Sequence, residues 1–60
     1  MASAVEIAQR LQISVEQVNR SPTIKNTYNE IESNPNMSQQ EKEDALDEMA
    51  DILRDMLRKN

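Results

Sequence analysis

Sixty residues make at most one domain, and a chain this short buries only about 60% of the surface its unfolded form exposes, so stability is marginal. Cysteine and histidine are both absent, which excludes disulfides, thiolate chemistry and nearly all zinc or haem ligation, and the absence of glycine disfavours tight β-hairpins. The net charge of −4 argues against a generic nucleic-acid coat, whose affinity comes from neutralising phosphates, though it leaves room for a small specific reader.

Four serines punctuate the chain. Ser3 with Glu6, Ser14 with Gln17 and Ser38 with Glu41 each fit a capping box, in which the serine oxygen accepts a first-turn N–H and the Glu or Gln reaches back. Ser21 is followed by Pro22, which suits the first position of a helix and ends the preceding one near Arg20. The first helix is therefore expected from about Ala4 to Leu11, with Ala4, Ile7, Ala8 and Leu11 on one stripe. The second, Val15 to Arg20, is under two turns and needs outside support, for which Ile13 and Val18 stand at the positions of a hydrophobic staple. The third, Pro22 to about Ser33, presents Ile24, Tyr28 and Ile31, and Asn34-Pro35-Asn36 then reads as a turn with an asparagine in the left-handed conformation.

The fourth helix, Gln39 to about Lys59, is the longest. Its apolar residues Ala45, Leu46, Met49, Ala50, Ile52, Leu53, Met56 and Leu57 occupy about 160 degrees of the helical wheel, a wide core face. Arg54, Arg58 and Lys59 complement the helix dipole at its end. The fold class expected is all-α: one domain over residues 1–60, with a head at 1–33, a turn at 34–37 and an amphipathic packing or dimerisation helix at 38–60.

The stretch S-A-V-E-I-A-Q-R-L-Q-I-S-V-E-Q-V-N-R, Ser3 to Arg20, carries the most specific pattern. It resembles the helix-turn-helix families of bacterial and phage regulators, whose core often reads T-x-x-E-I-A-x-x-L-G-I-S-x-x-x-V-x-R. Ser3, Glu6, Ile7, Ala8, Leu11, Ile13, Ser14, Val18 and Arg20 stand where that pattern wants them, and the resemblance covers eighteen of sixty residues. It departs at Gln12, where the turn favours glycine for its positive φ, and at Ser21-Pro22, which shorten the recognition helix. The resemblance implies that Ser14, Glu16, Gln17 and Arg20 face base edges, with Arg20 suited to guanine and Gln17 to adenine, while Arg10 and Lys25 hold phosphates. It also implies a dimer, since one such half-site binds weakly.

An alternative reading rests on the fourth helix. Leu46, Met49, Leu53 and Met56, with Leu57, follow a three-four spacing and are the expected protein interface, either with a second copy of the chain or with a regulatory target. Glu43, Asp47, Asp51 and Asp55 recur every fourth residue and form an acidic face that is either solvated or docks on a basic partner in place of a nucleic-acid backbone. Catalysis has no His, no Cys, no phosphate loop and no serine with a base partner, so no enzyme, cofactor, metal or small-molecule substrate is expected. No apolar run exceeds two residues, and no segment combines a charged start with an apolar run, so the expected location is cytoplasmic and off the membrane. The leading expectation is a small phage- or plasmid-type regulator that binds DNA as a dimer, and the alternative is a non-catalytic protein-binding inhibitor or adaptor.

Overall fold

The structure, a computed structural model, describes residues 1–59 and contains four α-helices and no strand among them: α1 Ala4–Leu11, α2 Val15–Arg20, α3 Pro22–Ser33 and α4 Gln39–Arg58. Each helix starts where a serine dictates. Ser3, Ser14 and Ser38 form complete capping boxes with Glu6, Gln17 and Glu41, and the Ser21 hydroxyl accepts the Ile24 N–H at 3.3 Å ahead of Pro22. Ser21, extended at φ −125°, both ends α2 and caps α3, so one residue separates the two helices.

The end of α1 sets the direction of everything after it. Gln12 adopts φ 58° and ψ 44°, the only positive φ among the described non-glycine residues, and the N–H groups of Gln12 and Ile13 both donate to the Ala8 carbonyl. That is the left-handed reversal that glycine usually makes, here adopted by a residue with a Cβ at a cost of about 1 kcal/mol. It turns the chain so that Ile13 packs against the core and Val18, on the short α2, is fully buried.

The core consists of Ile7, Ala8 and Leu11 from α1, Val18 from α2, Tyr28 from α3, and Leu46 and Ala50 from α4. Every helix therefore contributes. Burial raises the Tyr28 phenol above its ordinary pKa, and the nearby Glu32 adds to the shift. Helix α4 packs against α1 and α3, and among the described residues it makes no close approach to α2, which leans on α1 and α3 alone. At 1.5 Å per residue α4 spans about 30 Å, close to the 35 Å long axis of the molecule, and its last turn is exposed at Met56, Leu57 and Arg58.

Two expectations need correction. The Asn34-Pro35-Asn36 turn uses no left-handed asparagine: Asn34 sits at φ −70° and ψ 114° because Pro35 disfavours other conformations before it, and its Oδ1 accepts the Asn36 N–H at 2.9 Å. Nor is the apolar arc of α4 one core face. Leu46 and Ala50 are buried, while Ile52, Met56 and Leu57 are exposed.

Gln12→Gly is expected to raise stability by about 0.5–1 kcal/mol, read as a higher urea midpoint, because glycine takes this backbone conformation without the Cβ penalty. At the start of α4, the Glu41 carboxylate accepts the Ser38 N–H at 2.7 Å, and this bond, with that of the Ser38 side chain, holds its pKa below the ordinary glutamate value. A carboxylate depressed in the folded state stabilises fully above its unfolded pKa and loses that contribution as pH falls through the folded one. Glu41 should accordingly titrate below ordinary glutamate in an NMR titration, and Glu41→Gln should lose less stability than the parent on acidification.

Candidate functional site

The exposed side of α2 is small and largely satisfied by its own helix. Gln17 Oε1 accepts the Ser14 N–H at 3.0 Å while the Ser14 hydroxyl accepts the Gln17 N–H at 3.1 Å, so two of the four expected base-reading side chains close the capping box. Arg20 lies 3.4 Å from Glu16, one turn back, with both side chains about three-quarters exposed. An exposed pair of this kind contributes well under 1 kcal/mol and opens readily. Lys25 is partly exposed on α3.

Arg10, expected to hold a phosphate, is engaged elsewhere. Its Nη2 donates to Asp47 Oδ1 at 2.9 Å and to the Glu43 carbonyl at 3.2 Å, both on α4, and its side chain is only 32% exposed. Arg54 of α4 makes the reciprocal connection: Nη1 donates to the Leu11 carbonyl at 3.0 Å and to Gln12 Oε1 at 3.4 Å, while Nη2 meets Asp51 at 2.7 Å. One arginine thus crosses from each helix to the other, and the second satisfies a carbonyl left open at the end of α1. Lys42 closes α3 in the same manner through the Glu32 carbonyl at 2.8 Å.

These bonds also break up the expected acidic face. Asp47 is paired with Arg10, Asp51 with Arg54 and Asp55 with Lys59 at 3.4 Å, whereas the Glu43 carboxylate accepts, among the described residues, only from Gln39. Among the described residues, Glu48 makes no ion pair, and Asp44 accepts only from Gln40.

The apolar arc of α4 separates into two parallel seams. Leu46, Ala50, Leu53 and Leu57 follow spacings of four, three and four, and face the head, with burial fading toward the C-terminal end. Ala45, Met49, Ile52 and Met56 repeat the same spacing one residue earlier, which turns them about 100 degrees around the helix. Ile52 and Met56 are 52% and 59% exposed, and Met49 and Leu53 only partly cover the core. With Glu48, Ala45, Met49, Ile52 and Leu53 line a shallow groove of about 320 Å³. Of the residues expected at a protein interface, Leu46 belongs inside the chain at 2% exposure and is corrected to core, Met49 and Met56 lie on the outer seam, Leu53 lies on its border, and Leu57 lines a different groove beside Gln12 and Ser14.

No family model, characterised protein or solved structure matches this chain.

Ala45 and Ile52 are the outer-seam residues missed by the three-four reading, which took one residue from each seam in turn. Their signal was in the sequence, since Ala45-Met49-Ile52-Met56 is itself a four-three-four series. Arg58 was also missed: with Arg54 and Leu57 it borders a groove whose other side is Gln12, Ser14 and Gln17, which brings a cation beside the start of α2. No helix among the described residues is long and apolar enough to cross a membrane.

Arg54→Ala is expected to cost about 1–2 kcal/mol in chemical denaturation, the range for a charged hydrogen bond to a partly buried carbonyl. Arg54→Lys should recover at most half of this, because a single ammonium cannot bridge the Leu11 carbonyl and Asp51 as the guanidinium fork does.

Proposed function

We propose that this chain is a small non-catalytic protein-binding module, an adaptor or inhibitor, that presents the outer seam of α4 to a helix of another protein. One observation carries the reading. A marginal 60-residue domain leaves a row on α4 in which Ala45 and Met49 are half-buried and Ile52 and Met56 are exposed, although full burial of a large apolar side chain stabilises by about 1.5–3 kcal/mol. Single exposed apolar residues are ordinary, whereas a seam at heptad spacing supplies the contact surface of a helix pair.

A second reading, DNA recognition through α2, is favoured by the reversal at Gln12, the buried Val18 and the 76% exposed Arg20, which together present α2 as a helix-turn-helix regulator would. It ranks behind the first because the arrangement supplies few free cations. Arg10 is bound to α4, Arg20 is shared with Glu16, and Lys25 and Arg58 remain, against an acidic chain. Phosphate contacts dominate affinity for duplexes, and this surface offers few of them.

The two readings part in a site-specific crosslinking experiment. With a photo-crosslinking residue in place of Ile52 or Met56, irradiation in cells is expected to give a protein adduct of one defined mass. At Arg20 no nucleic-acid adduct is expected. Nucleic acid attached at Arg20, with nothing attached at Ile52 or Met56, would reverse the order of the two readings.

A further inference from the structure

We infer that the helix received by the outer seam of α4 is amphipathic and basic, with Lys or Arg at seven-residue spacing along one edge of its apolar stripe. This rests on the reading of α4 as a protein-binding face and specifies the partner's chemistry. Glu41, Glu48 and Asp55 recur every seven residues, and Glu48 and Asp55 directly precede the seam residues Met49 and Met56, so the border on that side of the seam is acidic. Asp44 lies just behind them. The compensation within the chain is partial: Asp55 has Lys59 at 3.4 Å, Glu41 is held by the Ser38 cap, and Glu48, which lines the groove, has no ion pair among the described residues. Lys42, seven residues before Met49, is directed to the Glu32 carbonyl, and on the opposite border Leu46 is buried in the core while Leu53 packs half-buried against it.

That asymmetry disfavours a second copy as the occupant. Two α4 helices packed antiparallel about a twofold axis would set Glu41, Glu48 and Asp55 against the same residues of the other copy. Packed parallel, each acidic border would meet the side occupied by Leu46, which the head covers, and Leu53, which the head covers in part. A basic border on the incoming helix removes the repulsion and places cations where Glu48 has no partner.

The test uses two synthetic helical peptides with the same heptad apolar stripe, one carrying Lys and the other Glu along its border. Binding to the full chain is measured by fluorescence anisotropy at low and high salt. The Lys peptide is expected to bind one to one and at least about tenfold more tightly than the Glu peptide at low salt, a gap that narrows with salt and with Glu48→Lys. Ile52→Glu is expected to abolish binding, with circular dichroism unchanged because both substituted positions are exposed. Equal affinity for the two peptides, still abolished by Ile52→Glu, would overturn the basic partner while leaving α4 a protein-binding face. Failure of both peptides to bind would count against the proposal and the reading beneath it. A concentration-dependent dimer in sedimentation that Ile52→Glu splits would assign the seam to a second copy and overturn the proposal as well.

Discussion

The fold depends on the reversal at Gln12. Six residues cannot hold a helix in water, so α2 exists because the left-handed turn delivers Val18 to a site lined by the α1 side chains. The same turn leaves the Leu11 carbonyl open, and Arg54 closes it from the far end of the chain at 3.0 Å. One backbone conformation therefore governs the angle of α2 and provides an anchor for α4. That a glutamine occupies it, at a cost glycine would avoid, is partly offset by the bond from Arg54 to its Oε1.

Helix α4 shows how a chain near the lower limit of domain size distributes its apolar residues. The inner seam joins the core at Leu46 and Ala50, Leu53 packs half-buried against it, and Leu57 is exposed. Two alanines in the core cluster, Ala8 of α1 and Ala50 of α4, are small enough to let helices approach closely, with Arg10 and Arg54 spanning between α1 and α4. Of the outer seam, Met49 packs against this core, while Ile52 and Met56 are exposed. The seam forms an apolar strip with an acidic border, a surface suited to association.

Charge is arranged as unevenly as hydrophobicity. Residues 1–27 carry Arg10, Arg20 and Lys25 against Glu6 and Glu16, but folding draws Arg10 to Asp47 and Glu16 to Arg20. The head that resembles a DNA reader thus has less free positive charge in the folded chain than its sequence suggests. The acids of α4 were expected as one stripe and are instead sorted by their neighbours: those near α1 and along the basic end are paired, and Glu48 and Asp44 face outward.

The local instructions were legible in the sequence because they act over three or four residues. Ser3, Ser14, Ser21 and Ser38 mark helix starts through bonds to their own first turns, Pro22 stops α2, and the apolar stripes of α1 and α3 follow from helical period, so four helices and an all-α class were readable without coordinates. Val18 as the plug and Ala8 as the small core residue were readable for the same reason. What the sequence alone could not settle depended on which surfaces meet across 27 to 43 residues. Periodicity assigns Leu46 and Met49 to the same arc, and only the packing of the other helices decides that Leu46 is core while Met49 is half-buried and borders a groove. Arg10 reads as a phosphate ligand until Asp47 is brought to 2.9 Å. Gln12 reads as a departure from glycine until its positive φ and its contact with Arg54 are seen. Sequence determined the helices and their caps, because those energies are local; tertiary structure decided which charges are free and which apolar row remains uncovered, because burial and pairing depend on the neighbours that folding brings.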